Sequence, residues 1–373
     1  SVCRAEKGGE PWPLQHLRST KEHHVSRLLY VDNSTLVAAE SCQTLALMRY
    51  HHGWTSPGEA AALKAGLAVH EALACFFKQG DPLQAMETFA AAYRAWADGS
   101  LPPTDRLAYS NVAAIFRYWL TTHPLASFPF VVPAGMVEVG AQALLTDEGK
   151  CLCGVMLVEH TSYSSASWDC PYSEPTTVVF VGRLDAVGRR RDGVYCAIDH
   201  KSTGNISPEW LAQFDQDSQF SGYLWLLSQH MRELVLRGYV NAIELPRLPV
   251  SSGPCKKHGV SYTECRFLHA EHQLVEVIRT EAQLANWRKD ALQSARRWVE
   301  LIDTAPTLDD IHLVGQRGQW IGKCPRCDFR DWCRLGRDVL MVPAMFQHSP
   351  WVPYERVAMA TPKGKEGVKP YEK

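Results

Sequence analysis

Apolar residues recur at helical spacing through PGEAAALKAGLAVHEALACFFKQ, residues 57–79, with Pro57 and Glu59 suited to a first turn, so the pattern predicts a helix there. Further helices are predicted over 82–98 and 103–122, a helical region ahead of a sheet. From about residue 135 the period changes. VEVGAQALL, CGVMLVEH, TTVVFVGRLDAV and GVYCAIDHK read as successive strands bounded by Gly, Asp or Ser clusters. The polar TSYSSASWDCPYSEP between the second and third reads as a mobile insertion. A helix is predicted to open at Ser207 as N-cap, with Pro208 in its first turn, and to run through EWLAQFDQDSQFSGYLWLLSQH. Strands near 234–245 and 262–276 lead into a long helix over 278–303, and the Pro- and Lys-rich end reads as a loosely held tail. The fold class expected from this order is α/β, a mixed central β-sheet flanked by helices.

Composition narrows the partners. At 373 residues, 46% hydrophobic and 21% charged, the chain can bury a large core. A formal net charge of -1 carries no global signal for nucleic acid, so a polyanion would be held by local patches. Candidates are Arg189, Arg190 and Arg191; Lys256 and Lys257; Arg296 and Arg297; and the series Lys323, Arg326, Arg330, Arg334 and Arg337. Solvated turns and helix faces are the alternative reading of each cluster. No apolar run has the length of a membrane span and the opening residues show no signal core, so the expectation is a soluble, cytoplasmic protein without a membrane partner. Twelve cysteines at uneven spacing do not resemble a small secreted disulfide scaffold. No G-x-x-x-x-G-K-[ST] loop occurs, which argues against nucleotide-driven motor chemistry.

Candidate chemistry concentrates in GRLDAVGRRRDGVYCAIDHKSTG, residues 182–204. Alternate side chains of a strand share a face, so Asp199 and Lys201 project together and His200 points away. GRRRDG is a plausible hairpin turn that brings Asp185 beside Asp199. Two close carboxylates repel unless a cation sits between them, and a hard divalent ion such as Mg2+ or Mn2+ prefers oxygen ligands. The lysine could then orient a water and steady charge on a phosphate, which suits phosphodiester hydrolysis. An isolated D-x-K is more often a pair of strand-end residues at a turn, so the reading depends on the motifs around it.

Those motifs carry a resemblance. GLAVHEAL around His70, GRLD ending at Asp185, DHKS from Asp199 and QFSGY from Gln219 to Tyr223 occur in the order seen in the RecB-type branch of the PD-(D/E)XK nucleases, which this chain resembles. The resemblance implies a restriction-endonuclease-like core and a metal-dependent nuclease acting on DNA, most plausibly as an exonuclease, with helicase or recombination proteins as associates. Carried onto this sequence, it implies that Asp185 and Asp199 bind the metal with His70 and the main-chain carbonyl of His200. Lys201 would be the catalytic lysine, and Gln219 and Tyr223 would contact nucleic acid or order the site. His70 follows Leu63 and Leu67 at helical spacing, so a core histidine is the alternative; Gln219 and Tyr223 could likewise be packing residues. Glu138 is a further carboxylate that could face the site and Arg183 could hold phosphate; Trp210, Phe214, Phe220 and Trp225 are candidates for stacking on a single strand, with a core role the favoured reading for most of them.

A second constellation, KCPRCDFRDWC, sets Cys324, Cys327 and Cys333 at C-x2-C-x5-C spacing, three thiolates of a four-ligand site. The iron-sulfur subgroup of the family, which includes the AddB nuclease and certain CRISPR-associated nucleases, has one cysteine before the histidine motif and three after the core. That layout implies Cys42 as the fourth ligand of a [4Fe-4S] cluster, although Cys42 lacks the following proline often seen there. Zinc on the same four thiolates is the alternative that spacing does not separate. Cys255, His258, Cys265 and His269 have metal-binding types but poor spacing and read as a basic hairpin. The expected organisation is one nuclease domain over 1–344, with a helical lobe 34–130, a catalytic core 131–304, a Cys-rich segment 305–344 and a tail 345–373. A non-catalytic DNA-binding or assembly subunit, or a structural zinc protein, are the competing functions.

Overall fold

A seven-stranded mixed sheet organises the computed structural model, which describes residues 27–58, 61–97, 105, 107–157, 170–245, 254–255, 259–260, 270–315, 318, 322–353 and 355. Lys256, Lys257, His258, Cys265 and His269, and most of the predicted Ser-rich insertion, lie outside the described residues.

In chain order the elements are β1 (Arg27–Val31), α1 (Asn33–Ser41), α2 (Gln43–Ala46), β2 (Trp54–Thr55), α3 (Ala61–Gln79), α4 (Pro82–Ala97), α5 (Tyr109–Thr122), β3 (Phe130–Val131) and β4 (Val137–Leu144). Then come β5 (Thr176–Arg190), β6 (Tyr195–Thr203), α6 (Pro208–Ala212), α7 (Ser218–Met231), β7 (Arg237–Glu244) and β8 (His272–Ile278). The last are α8 (Glu281–Thr304), α9 (Arg330–Arg334), α10 (Val342–Met345) and β9 (Gln347–His348). β5 pairs in parallel with β1 and antiparallel with β3, β4 and β6; β7 lies parallel to β6, and β8 closes the far edge antiparallel to β7. The expected α/β class, a mixed sheet flanked by helices, is the one the chain adopts.

The centre of the sheet is covered on both faces, and its sequence reflects that. Val178, Val179, Phe180 and Val181 are all buried, a continuous apolar run instead of an alternating one. One core joins α1, α7 and α8 to the sheet through residues such as Phe180, Leu224, Trp287 and Trp298. The other joins α3, α4 and α5 through Phe77, Phe116, Phe130 and Ile198. At about 1.5–3 kcal/mol for each large apolar side chain buried, these two layers dominate the cohesion of the fold. α7 lies close on β5: a Cβ on Gly182 would stand 2.8 Å from Leu226 Cδ1, and one on Gly222 3.0 Å from Phe180 Cζ.

Several elements differ from the sequence expectation. The helix predicted from Ser207 through His230 stops at Ala212 and resumes at Ser218, because the Asp217 carboxylate accepts the Phe220 N–H at 2.7 Å and caps a new helix. The strand predicted in CGVMLVEH is a tight turn over its described residues, with the Cys151 N–H bonded to the Val155 carbonyl at 2.8 Å. β1, which the pattern left unassigned, pairs with β5 instead. Near the other end β9 pairs with β2, and Trp351 meets Tyr50 edge-on at 5.0 Å. Among the described residues no helix is long and apolar enough to cross a membrane.

Candidate active site

The site lies where the sheet forks. β4 and β3 occupy one edge of the long strand β5, while β1 and β6 share the other: β1 pairs along Thr176–Phe180 and β6 along Ala186–Arg189. Residues 181–185 therefore have no strand neighbour on that edge among the described residues. Asp185 and Asp199 stand one position beyond the last β5–β6 pair, Ala186 with Ile198, at the mouth of this gap. The register comes from the three-residue loop Arg191–Gly193, in which Gly193 takes φ +88 and Arg190 bonds Val194, the expected hairpin.

Around the fork the predicted side chains meet in pairs. Asp185 Oδ2 accepts the His200 N–H at 2.7 Å and stands 3.4 Å from His70 Nδ1 on α3. Asp199, 3% exposed, lies 2.8 Å from Lys201 Nζ. Lys201 donates to Gln219 Oε1 at 3.4 Å, and Gln219 Nε2 donates to the Tyr223 hydroxyl at 2.6 Å. Tyr223 is buried in the core at the end of this chain of contacts. The His200 ring turns away from Lys201 as strand alternation requires; it stacks on Phe77 and accepts from the Asn241 amide at 2.9 Å.

Burial is the leading cost for every charge here. It pushes the Asp199 carboxyl up to about 6, with Lys201 opposing the rise and Asp185 adding to it. Burial also works against Asp185, but His70 and the His200 N–H hold that carboxyl well below the usual range. For His70 and Lys201 burial opposes the charged form, and the neighbouring Asp185 and Asp199 respectively outweigh it, so both are raised. Two mutually repelling carboxylates beside an imidazole form an oxygen-rich donor set that fits a hard divalent cation such as Mg2+ or Mn2+.

The cleft beside the fork is lined by His70, Glu71, Glu138, Arg183, Asp185 and His200. Leu63 and Leu67 are 52% and 42% exposed, so the stripe of α3 that carries His70 faces the open cleft, while Ala65, Ala68, Val69 and Ala72 face the core. His70 is thus no core histidine. Glu138 lies across β4 from Asp185 with φ 54, a left-handed conformation that costs about 1–2 kcal/mol in a non-glycine residue, and its carboxylate meets Lys78 at 3.1 Å. Glu71 was not singled out in the sequence although it directly follows His70; burial and Glu138 raise its pKa while Arg183 opposes them.

Phe214, Phe220 and Trp225 are buried and half-buried Trp210 packs edge-on to Phe214 at 4.9 Å, which matches the core reading of these aromatics. Several arginines of the basic clusters are consumed by the fold: Arg190 pairs with Glu276 at 2.6 Å, Arg297 with Glu40, and Arg296 donates to the Leu152 carbonyl. Arg337 donates to the carbonyls of Ile311 and Val314.

Cys42, Cys324, Cys327 and Cys333 are brought together. A Cβ on Gly318 would stand 3.3 Å from Cys42 Sγ and 3.6 Å from Cys324 Sγ. Burial raises the Cys327 and Cys333 thiols, the latter to about 12, and Cys42 and Cys324 act on both. Gln43 and Thr44 bond the main chain of Gly315, tying the first helices to the Cys-rich segment. One cysteine group escaped the sequence reading: Cys151, Cys153 and Cys170, whose only signal was the C-x-C spacing, have sulfurs within 4.8 Å of one another. Among the described residues this is the only trio of metal-ligating side chains so close.

The profile of the PD-(D/E)XK nuclease superfamily matches residues 33–334, a span that holds His70, Asp185, Asp199 and Lys201. The chain belongs to this superfamily. Membership in the PD-(D/E)XK nucleases implies a metal-dependent phosphodiester hydrolase with DNA as its substrate. Among solved structures the chain is similar to one titled "Crystal structure of SSO0001", at 14% identity over 89% of this chain and 92% of that one, with a TM-score of 0.30. No curated protein matches.

Proposed function

We propose that this PD-(D/E)XK nuclease is an exonuclease of the RecB-type branch that uses Mg2+ or Mn2+ at the β5–β6 fork and carries a structural [4Fe-4S] cluster. The observation behind it is the placement of Asp185 and Asp199 one position beyond the last β5–β6 pair, at the open end of the hairpin, with Lys201 Nζ 2.8 Å from Asp199. Asp185, Asp199, His70 and the His200 carbonyl hold the cation in this reading. When bound, the cation supplies Lewis-acid polarisation of the scissile phosphate and a lower pKa for the attacking water.

The protein's own groups do the rest. Lys201 keeps its charge because Asp199 outweighs its burial, and Gln219 holds the ammonium toward the fork, where negative charge grows on the phosphate. Arg183, exposed in the cleft, contacts the backbone phosphate and fixes register without reading sequence. Glu138 and Glu71 border the same cleft. The lobe 34–130, the core 131–304 and the segment 305–344 act together as one nuclease domain.

Cys42, Cys324, Cys327 and Cys333 hold the cluster in this reading. Time courses on 5′- and 3′-labelled single- and double-stranded DNA, with each metal, test the activity. Terminal shortening that vanishes in Asp185→Ala supports it; no shortening by the cluster-loaded protein leaves a DNA-binding or assembly subunit as the reading.

A further inference from the structure

We propose that Cys151, Cys153 and Cys170 form a second metal site, a structural zinc site distinct from both the fork and the four-cysteine centre. The three sulfurs lie within 4.8 Å of one another, and Cys151 Sγ and Cys170 Sγ are 3.9 Å apart. Three thiolates on one tetrahedral zinc, at Zn–S of about 2.3 Å, have sulfurs about 3.8 Å apart, so the protein already holds that pair at the required separation.

The surrounding backbone is built for sulfur ligands. Cys151 Sγ accepts the Thr176 N–H at 3.3 Å, Cys153 Sγ accepts the Val155 N–H and Cys170 Sγ accepts the Tyr172 N–H. Burial raises the Cys153 thiol and pushes Cys170 up to about 12, and the Val155 and Tyr172 N–H bonds oppose that rise; a thiolate here would draw its compensating charge from a bound cation. Gly154, with φ +99, lets the chain double back directly after Cys153, so that Gly154 N bonds the Cys151 carbonyl at 2.8 Å. The result is a C-x-C-G turn with both sulfurs on one side, facing a third cysteine from the approach to β5. Soft thiolates select zinc over the hard cation that suits the fork.

The site braces a strand. Leu152 N bonds the Thr176 carbonyl at 2.7 Å, so the turn is fastened to the first residue of β5, nine positions before Asp185. That distance along a strand is about 30 Å, too far for the ion to touch the reacting phosphate. Its role is to close the segment between Cys153 and Cys170 and set the start of the strand that carries Asp185.

The test is metal analysis of the full chain purified without oxygen, beside Cys153→Ser, Cys170→Ser and Cys327→Ala. One zinc per chain is expected in the unaltered protein, lost in the first two variants and retained in Cys327→Ala, while the visible absorbance follows the opposite pattern. Zinc-edge X-ray absorption of the unaltered protein serves if a variant does not fold: three sulfurs at about 2.3 Å with one nitrogen or oxygen support the site. Absence of zinc, four-sulfur zinc that disappears in Cys327→Ala, or a Cys151–Cys170 disulfide in the protein as purified would each overturn it. None of these readings depends on cleavage, so failure of the nuclease assignment and failure of this site are distinguishable.

Discussion

Replacing Lys201 by Met isolates the electrostatics of the fork. Met keeps the length and apolar stem of lysine but removes the ammonium 2.8 Å from Asp199, a carboxylate with 3% exposure. Breaking a buried ion pair by removing one partner costs about 3–5 kcal/mol, and the one-third exposure of Lys201 reduces this to about 2–3 kcal/mol. For a chain of 373 residues the unfolding entropy scales to a shift of about 1.3 °C per kcal/mol, so the metal-free variant should melt about 3–4 °C lower at pH 8.

The pH dependence carries the sharper test. The folded pKa of Asp199, near 6, lies above its ordinary 3.8, so its ionisation costs no stability below 3.8 and costs progressively more as pH rises through 6. Without Lys201, which opposes that rise, the folded value climbs further and the carboxyl simply stays protonated near pH 5. The deficit should therefore shrink at pH 5, and saturating Mn2+ at pH 8 should restore most of it by supplying the missing cation. Thermal melts of both proteins at the two pH values, with chelator and with Mn2+, give the readout; cleavage should fall about 10²–10³-fold. A deficit independent of both pH and metal would refute the reasoning.

Asp185→Asn should reduce cleavage at least about 10³-fold with a stability change within about 1 kcal/mol, because the amide oxygen can still accept the His200 N–H and relief of the repulsion with Asp199 offsets the loss of His70; labelled-DNA assays beside denaturant melts read both. Cys327→Ala should lose the visible absorbance together with thermal stability, up to about 5 kcal/mol from the long loop that the cluster closes, less what the Gln43 and Arg337 contacts retain, as scanning calorimetry would show. His52 and His230 are lowered to about 4 and His272 to about 3, each chiefly by burial, so the unfolded chain takes up protons first below pH 6.5. Unfolding free energies from urea titration should lose at most about 2 kcal/mol per histidine from pH 7 to pH 5, less for their partial exposure, against an opposing gain from Asp199 and His70; His230→Gln should remove its share of the loss, and an unchanged profile in that variant would contradict this. Glu138→Gly should raise the melting temperature slightly, because relief of about 1 kcal/mol of left-handed strain exceeds the loss of the exposed Lys78 pair; a lower melting temperature would count against the strain.

Local rules were enough to read the hairpin from the chain. A glycine-ended turn between two apolar runs, with Asp199 and Lys201 two apart, determines that both side chains share a face opposite Asp185, because strand alternation and antiparallel pairing are properties of neighbouring residues. The C-x2-C-x5-C spacing likewise declares three thiolates at short range. Contacts between distant segments left no such trace. That β1 takes half an edge of β5 and thereby opens the fork, and that the His70 face of α3 meets a cleft, depend on how helices and strands dock. Arginines that look like a polyanion surface are spent on Glu276, Glu40 and main-chain carbonyls, since a charge pattern does not state its partner. Cys170 joins Cys151 and Cys153 only because the chain returns to the start of β5; periodicity records which face a residue prefers, and only packing decides what stands opposite it.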